Sequence, residues 1–208
     1  MMDDARSRDT GRLAIAAGVV AATSAASLAT FFAVQGPFGT INDIGNAATG
    51  LVAGCVAWRL RDRLTGRTRD VAVAAAVVGA ALTVVGSALV VSGTTGFFLA
   101  GLVSSVGFGG IGAWLFALNR LGGMRLFRHL RTLGLIAGGL MALGIASAPG
   151  IALRLDDAAN APGWAWIGGL GWLGTYVVYP VWAFWLGIVE LRREAPVGER
   201  ELPSWIGG

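Results

Sequence analysis

The sequence predicts an all-α, polytopic integral membrane protein with six transmembrane helices in one compact, glycine-rich bundle. Hydrophobic residues make up 55% of the 208 residues and charged residues only 13%, with a mean hydropathy of +0.67. A soluble domain of this size needs more charged surface. The charges also lie in short blocks between uncharged runs of about 20 residues, the length that crosses a bilayer.

The first two predicted helices cover 13–34 and 42–59, after a polar lead at 1–12. The first run is longer than the apolar core of a secretory signal, which has about 7–15 residues, so we expect a retained helix. Gly36 and Pro37 interrupt the helical pattern and end this helix. The second helix is just long enough to cross, at roughly 27 Å.

Short turns or charged connectors separate the remaining four predicted helices. They cover 71–91, 97–118, 132–153 and 164–189. Pro180 lies inside the last of them and predicts a kink, because proline removes one backbone hydrogen bond. The tail at 190–208 is charged, contains Pro and Gly, and is expected to be disordered.

The arginines predict the orientation. All but one of the 16 lie in the lead, the tail, or the two connectors that follow the second and fourth helices. The exception is Arg154, in an acidic loop at 154–163. Because cytoplasmic loops collect basic residues, both termini are expected in the cytoplasm and the protein in the cell's inner (plasma) membrane.

Small residues on single faces of the helices predict close packing, since apolar burial does not hold helices together in lipid. Stripes of this kind occur in the second, fourth, fifth and sixth helices. Their members are Gly50 and Gly54; Gly101, Ser105, Gly109, Ala113 and Ala117; Gly134 and Gly138; and Gly168, Gly171 and Gly174.

Asp43 is the acidic residue at the mouth of this otherwise uncharged bundle. A helix from about residue 42 puts Asp43, Asn46, Gly50 and Gly54 on one inward face. An acidic group at membrane depth usually marks a functional site. The predicted ligand-binding set comprises Asp43, Asn46, Asn42, Gln35, Thr30 and Arg154.

A purely structural role for Asp43 has two possible forms. Thr40 followed three residues later by an acidic side chain resembles a capping box, and a carboxylate in a first turn suits the helix dipole. Arg154 is the natural counter-ion, and an Asp43–Arg154 pair would simply join two helix ends.

Catalytic chemistry finds little support in the composition. His129 is the only histidine, Lys is absent and Cys55 is the only cysteine, so we expect no catalytic residue, metal site or cofactor. Cys55 is expected to be a small buried side chain. The acidic pair Asp156 and Asp157 is expected to be a solvated turn rather than a calcium site.

The basic segment at 124–131 is expected to lie on the inner leaflet and attract anionic lipid head groups. Arg125, Arg128 and Arg131 would make these contacts. The same clustering of arginines at positions that topology requires gives no reason to expect nucleic-acid binding.

Three functions stay open at this stage. The first is a non-enzymatic bundle that binds or moves a small molecule, ion or lipid through the cluster around Asp43. The second is an accessory or scaffolding subunit that uses its glycine faces to dock a partner membrane protein or a second copy. The third, a membrane enzyme acting on lipid, is least supported because no paired acids lie within the membrane.

Overall fold

The computed structural model describes residues 2–122 and 128–192, and all the regular structure in them is helical. The predicted disorder of the tail at 193–208 and the contacts of Arg125 lie outside the described residues. Within these residues eight α-helices follow one another. They are α1 (Met2–Val34), α2 (Phe38–Arg59), α3 (Gly66–Val91), α4 (Phe97–Leu121), α5 (Arg128–Ala142), α6 (Ala148–Ala152), α7 (Ala165–Leu173) and α8 (Tyr179–Arg192).

The short helices join into longer rods. A 3₁₀ segment, Leu143–Ser147, connects α5 to α6, so the fifth rod runs over Arg128–Ala152. A π-helical segment, Gly174–Val178, connects α7 to α8, so the sixth rod runs over Ala165–Arg192. In the described part of the chain, five rods are long and apolar enough to cross a membrane, as expected for an all-α membrane protein. The remaining rod, α2, is long enough but less apolar.

The rods form a ring in chain order. Each packs against the next, and α8 packs against α1 to close the ring. The most enclosed rod is α4. Within its apolar stretch of 18 residues, 67% is buried inside the bundle, compared with 28% for the corresponding stretch of α1. It also contacts α2 and α7 across the ring. Groups on α4 are therefore placed to meet groups from most of the bundle.

A close backbone approach joins α3 to α4 at Gly79, Gly107 and Gly110. A Cβ atom added at Gly107 would lie 2.6 Å from the carbonyl oxygen of Gly79, and one at Gly110 would lie 2.6 Å from that of Ala75. Real side chains do not tolerate such distances, so only glycine permits this contact. Glycine is thus used here for close packing, as the sequence predicts.

Large apolar side chains cover much of the outer surface of the ring, as suits a lipid environment. Examples from several rods are Val19, Ile44, Leu51, Val78, Ile136, Leu170 and Val177. Cys55 is also exposed, so its predicted burial is wrong. It follows the buried Ala53 and Gly54 on α2 and therefore points away from the bundle.

Several helices extend further than the apolar runs that predict them. The start of α1 includes the polar lead, and α3 begins at Gly66 rather than residue 71. Similarly, α8 continues through Arg192, so Glu190 belongs to a helix rather than to the tail. Hydropathy marks the lipid-embedded part of a helix, whereas the backbone stays helical until a turn residue ends it.

Candidate functional site

The start of α2 determines how Asp43 is interpreted. The helix begins at Phe38, with Pro37 as its N-cap, no side-chain capping bond and no acidic residue in its first turn. The predicted capping box of Thr40 and Asp43 is therefore wrong. Pro37 sets the helical φ angle at this end, so α2 starts about one turn earlier than the apolar pattern indicates. Asp43 lies inside the helix, with 9% of its surface exposed.

Asn42 and Asn46 belong to a hydrogen-bonded clamp between α1 and α2. The Ser24 hydroxyl donates to Oδ1 of Asn46 at 3.0 Å. In return, Nδ2 of Asn42 donates to the carbonyl oxygen of Ser24 at 3.0 Å. Nδ2 of Asn46 donates to Oδ1 of Asn42 at 3.2 Å, so the two amides also bond to each other. These bonds satisfy polar groups that would be costly to leave unpaired in a membrane interior.

The sixth rod contributes Tyr176 to the same clamp. Its hydroxyl donates to Oδ1 of Asn46 at 2.9 Å. Tyr176 lies in the π segment, where the backbone N–H of Tyr179 donates to the carbonyl oxygen of Gly174, five residues back. Pro180 follows directly and lacks an N–H. A widened turn of this kind accommodates an interruption in the backbone hydrogen bonds of a helix, and it is common at functional sites.

Asp43 lies beside the clamp but outside it. Among the described residues its carboxylate has neither a hydrogen bond nor an ion pair, although Asp43 as a residue is nine-tenths buried. The hydroxyl of Ser104 on α4 is likewise without a partner in the described part of the chain, and Ser104 is 8% exposed. An acidic group in the interior of a bundle is costly without a partner and calls for a ligand, an ion or water.

Both groups line one cavity where five rods meet, in the half of the bundle opposite the arginine-rich connectors, which is the predicted outer half. The space between its walls, including its mouth, amounts to about 410 Å³, but only about 20 Å³ is wide enough for the centre of a water molecule. The cavity therefore has room for one or two water molecules, or for a ligand of that size. Its walls are Leu28, Asn42, Asp43, Asn46, Gly86, Val90, Phe97, Ala100, Gly101, Ser104, Ser105, Phe108, Trp172 and Tyr176.

A second hydrogen-bonded pair holds the opposite wall of the cavity. The indole N–H of Trp172 donates to Oγ of Ser105 at 3.0 Å, and that hydroxyl donates to the carbonyl oxygen of Gly101 at 2.7 Å. The pair joins α7 to α4. With Ser105 engaged in this way, Asp43 and Ser104 remain the polar side chains of the cavity that have no partner among the described residues.

Three predicted site residues are not brought to the cavity. The Thr30 hydroxyl donates to the carbonyl oxygen of Ala26 in its own helix, at 2.8 Å. Gln35 and Arg154 are exposed and follow helix ends with φ angles of 60° and 52°. This left-handed conformation ends helices, so both residues terminate their rods. No ion pair between Arg154 and Asp43 occurs in the described structure.

Sequence reasoning missed Ser24, Ser104 and Tyr176. Ser24 continues a stripe of small buried residues on α1 with Ala17 and Ala21. Tyr176 is four residues before Pro180, so its carbonyl oxygen lacks the backbone N–H that would normally bond to it, and this was a usable signal. Ser104 gave none, because serine is common in apolar helices.

The end of the bundle that carries the arginine-rich α2–α3 connector, predicted to be the inner end, holds a buried charge cluster. Glu190 of α8 is 1% exposed and forms an ion pair with Arg63 at 2.8 Å. The Ser7 hydroxyl also donates to Oε2 of Glu190, at 3.1 Å. These contacts tie the start of α1 and the α2–α3 connector to the last turn of α8. We regard this cluster as a structural fastening of the inner end.

Arg128 and Arg131, expected to contact lipid, are both exposed. The Arg131 side chain also donates from Nε to the carbonyl oxygen of Asn119 at 2.8 Å, near the end of α4. A cation there satisfies free carbonyls and suits the helix dipole. Arg131 thus has a structural contact that the lipid prediction did not include, and lipid binding by this segment stays a prediction.

Asp156 has a structural role in the outer loop. Its carboxylate accepts hydrogen bonds from the backbone N–H groups of Gly96, at 2.7 Å, and Leu99, at 3.1 Å. It therefore caps the start of α4 from 57 to 60 positions away in the chain. Asp157 accepts from the backbone N–H of Ala159 instead, at 2.9 Å. The expected solvated turn is thus a capping loop.

Comparison of the chain with protein-family models, with curated proteins and with solved structures finds no match in any of the three. The fold defines the class: an all-helical membrane protein. The candidate site is a narrow cavity in its outer half that contains one unpaired carboxylate.

Proposed function

We propose that this chain is a six-span protein of the plasma membrane, with both termini in the cytoplasm, that binds a small solute in the outer cavity. Asp43 is its principal contact. The observation that supports this proposal is the side chain of Asp43, a residue that is nine-tenths buried and whose carboxylate is unpartnered among the described residues, in a cavity where five rods meet. Burying such a group is costly unless a ligand compensates it.

The surface of α2 supports the proposal that α2 also spans the membrane, in addition to the five more apolar rods. Its polar residues Asn42, Asp43, Asn46 and Thr49 are buried, whereas large apolar residues such as Ile44 are exposed. That arrangement reverses the pattern of a soluble helix and suits a lipid surface. Polar groups turned inward also explain why α2 is not among the five rods that are apolar enough to cross a membrane.

The packing below the cavity favours binding and exchange from the outer side. Trp114, Leu118 and Trp182 are fully buried toward the inner half. The cavity, by contrast, reaches Phe97, at the first residue of α4. A solute in this conformation would therefore enter and leave on the side opposite the arginine-rich connectors.

Native mass spectrometry and thermal unfolding of the purified full-length protein test the proposal. A panel of small polar solutes is added to the wild type, to Asp43→Asn and to the matched control Asp70→Asn, whose exposed carboxylate pairs with Arg69. We expect at least one solute to stabilise the wild type and the control but not Asp43→Asn. Equal stabilisation of all three proteins would show that Asp43 is not the site.

A further inference from the structure

We propose that the ligand of the outer cavity is a small organic ammonium ion, held by the Asp43 carboxylate and the Ser104 hydroxyl among aromatic side chains. This inference rests on the proposed function and adds the chemical class of the solute. It follows from the charge of the cavity, the number of its free oxygen atoms, the nature of its walls and its size.

The charge of the cavity favours a single positive charge. Asp43 is the one ionisable acid on its walls, and no arginine lies among them. An anion would be repelled, and a neutral solute would leave a buried charge uncompensated. A divalent ion would leave one positive charge in excess. A monovalent cation is the ligand whose charge matches that of the ionised carboxylate.

The oxygen inventory disfavours a metal ion. The amides of Asn42 and Asn46 are committed to the clamp, and the hydroxyl of Ser105 is held between Trp172 and Gly101. Asp43 and Ser104 are left to supply side-chain oxygens. Calcium needs about 6–8 oxygen ligands, and magnesium needs an octahedral shell. Alkali ions also need their hydration shell or its replacement by protein oxygens, and the cavity has no room for that shell.

The walls of the cavity suit an organic cation. Four aromatic side chains, Phe97, Phe108, Trp172 and Tyr176, lie among its lining residues. Aromatic rings attract cations that come within about 6 Å, and cages of such rings are the usual way in which proteins bind alkylated ammonium groups. The N–H groups of an ammonium ion could donate to Asp43 and Ser104, while its methyl groups contact the rings.

The width of the cavity limits the ion. Room for one or two water molecules accommodates ammonium or methylammonium, which has two non-hydrogen atoms. Tetramethylammonium or choline would require the mouth to open. Phe97 is the side chain placed to allow this, since it is 37% exposed at the outer edge. We therefore expect affinity to be highest for the smallest alkylated ions.

The experiment measures thermal unfolding of the purified full-length protein at constant pH and ionic strength. The chloride salts of methylammonium, ammonium, tetramethylammonium, sodium and potassium are compared. When its concentration is about one hundred times its dissociation constant, methylammonium should raise the melting temperature of the protein by about 5–10 °C. Sodium and potassium should have no effect beyond that of ionic strength, and tetramethylammonium should have a smaller effect than methylammonium.

Substitutions of cavity residues test where methylammonium binds. Asp43→Asn should abolish the response, while the control Asp70→Asn keeps it. Phe97→Leu should weaken methylammonium binding by about 2- to 30-fold, the range of one cation–π contact, whereas Phe97→Tyr retains it. Because Phe97 lies at the edge of the bundle, both of its variants should fold even if Asp43→Asn does not.

The outcomes separate the two proposals. If sodium stabilises the protein as much as methylammonium and Asp43→Asn removes both effects, the ammonium inference is wrong and the proposed function stands. The same holds if a neutral solute alone produces an Asp43-dependent response. If methylammonium stabilises Asp43→Asn as well as the wild type, the site is misplaced and both proposals fail.

Discussion

The clamp around Asn46 gives the sharpest test of how the structure divides the polar cluster. Asn46 takes part in three side-chain hydrogen bonds: it accepts from Ser24 and Tyr176, and it donates to Asn42. Asp43, three residues earlier, makes none with the described residues. Replacing Asn46 should therefore cost stability, whereas replacing Asp43 should cost ligand binding.

The magnitude follows from the number of bonds. Two of the three bonds join different helices and contribute about 0.6 kcal/mol each, and the bond to Asn42 within α2 adds about 0.2–0.5 kcal/mol, so Asn46→Ala should lower the free energy of unfolding by about 1.5 kcal/mol. Tyr176→Phe removes one of the three bonds and should cost about 0.6 kcal/mol. The double variant should show a coupling of about 0.6 kcal/mol, because both changes remove the same bond.

Reversible unfolding by SDS in mixed micelles, followed by circular dichroism, measures these values. Thr30→Ala is the control, since its hydroxyl bonds only to a carbonyl of its own helix. Asp43→Asn, measured without ligand, should be as stable as the wild type or more so, because it removes an unpaired buried charge. An Asn46→Ala variant no less stable than Thr30→Ala would refute the clamp.

Three further predictions test other parts of the fold. Glu190→Gln should lower unfolding stability by about 3 kcal/mol in the same assay, because it leaves Arg63 without its ion-pair partner; a loss no larger than that of an exposed pair would refute the fastening role. Asp156→Ala should cost about 1 kcal/mol through the lost cap of α4, while an unchanged melting curve would contradict that role. In a background without the native cysteine, Thr94→Cys should react with an impermeant thiol reagent added outside intact cells, and Arg67→Cys should not; the reverse would overturn the orientation.

The sequence alone was sufficient for the helical class and for the approximate positions of the helices. Long uncharged runs are a local property, and a helix in lipid satisfies its own backbone, so these features can be read one segment at a time. The same reasoning identified Asp43 as an inward-facing acid on α2. It placed the start of α2 too late, since Pro37 initiates a helix as readily as it breaks one.

The partners of Asp43 could not be predicted in the same way. Arg154 was the obvious counter-ion by charge, but it ends a rod in an exposed turn. Ser24 and Tyr176 bond to Asn46 across 22 and 130 positions of the chain. Such contacts depend on how rods rotate against each other, and a hydropathy pattern does not contain that rotation.

The π segment shows why tertiary structure decided the site. One widened turn before Pro180 shifts the register of the sixth rod and brings the Tyr176 hydroxyl onto α2. By itself the sequence determined that helices cross a membrane and that one acid faces inward. The packed bundle determined which polar groups neutralise one another, because hydrogen bonds need side chains from different rods at distances near 3 Å. It thereby left Asp43 and Ser104 facing the outer cavity.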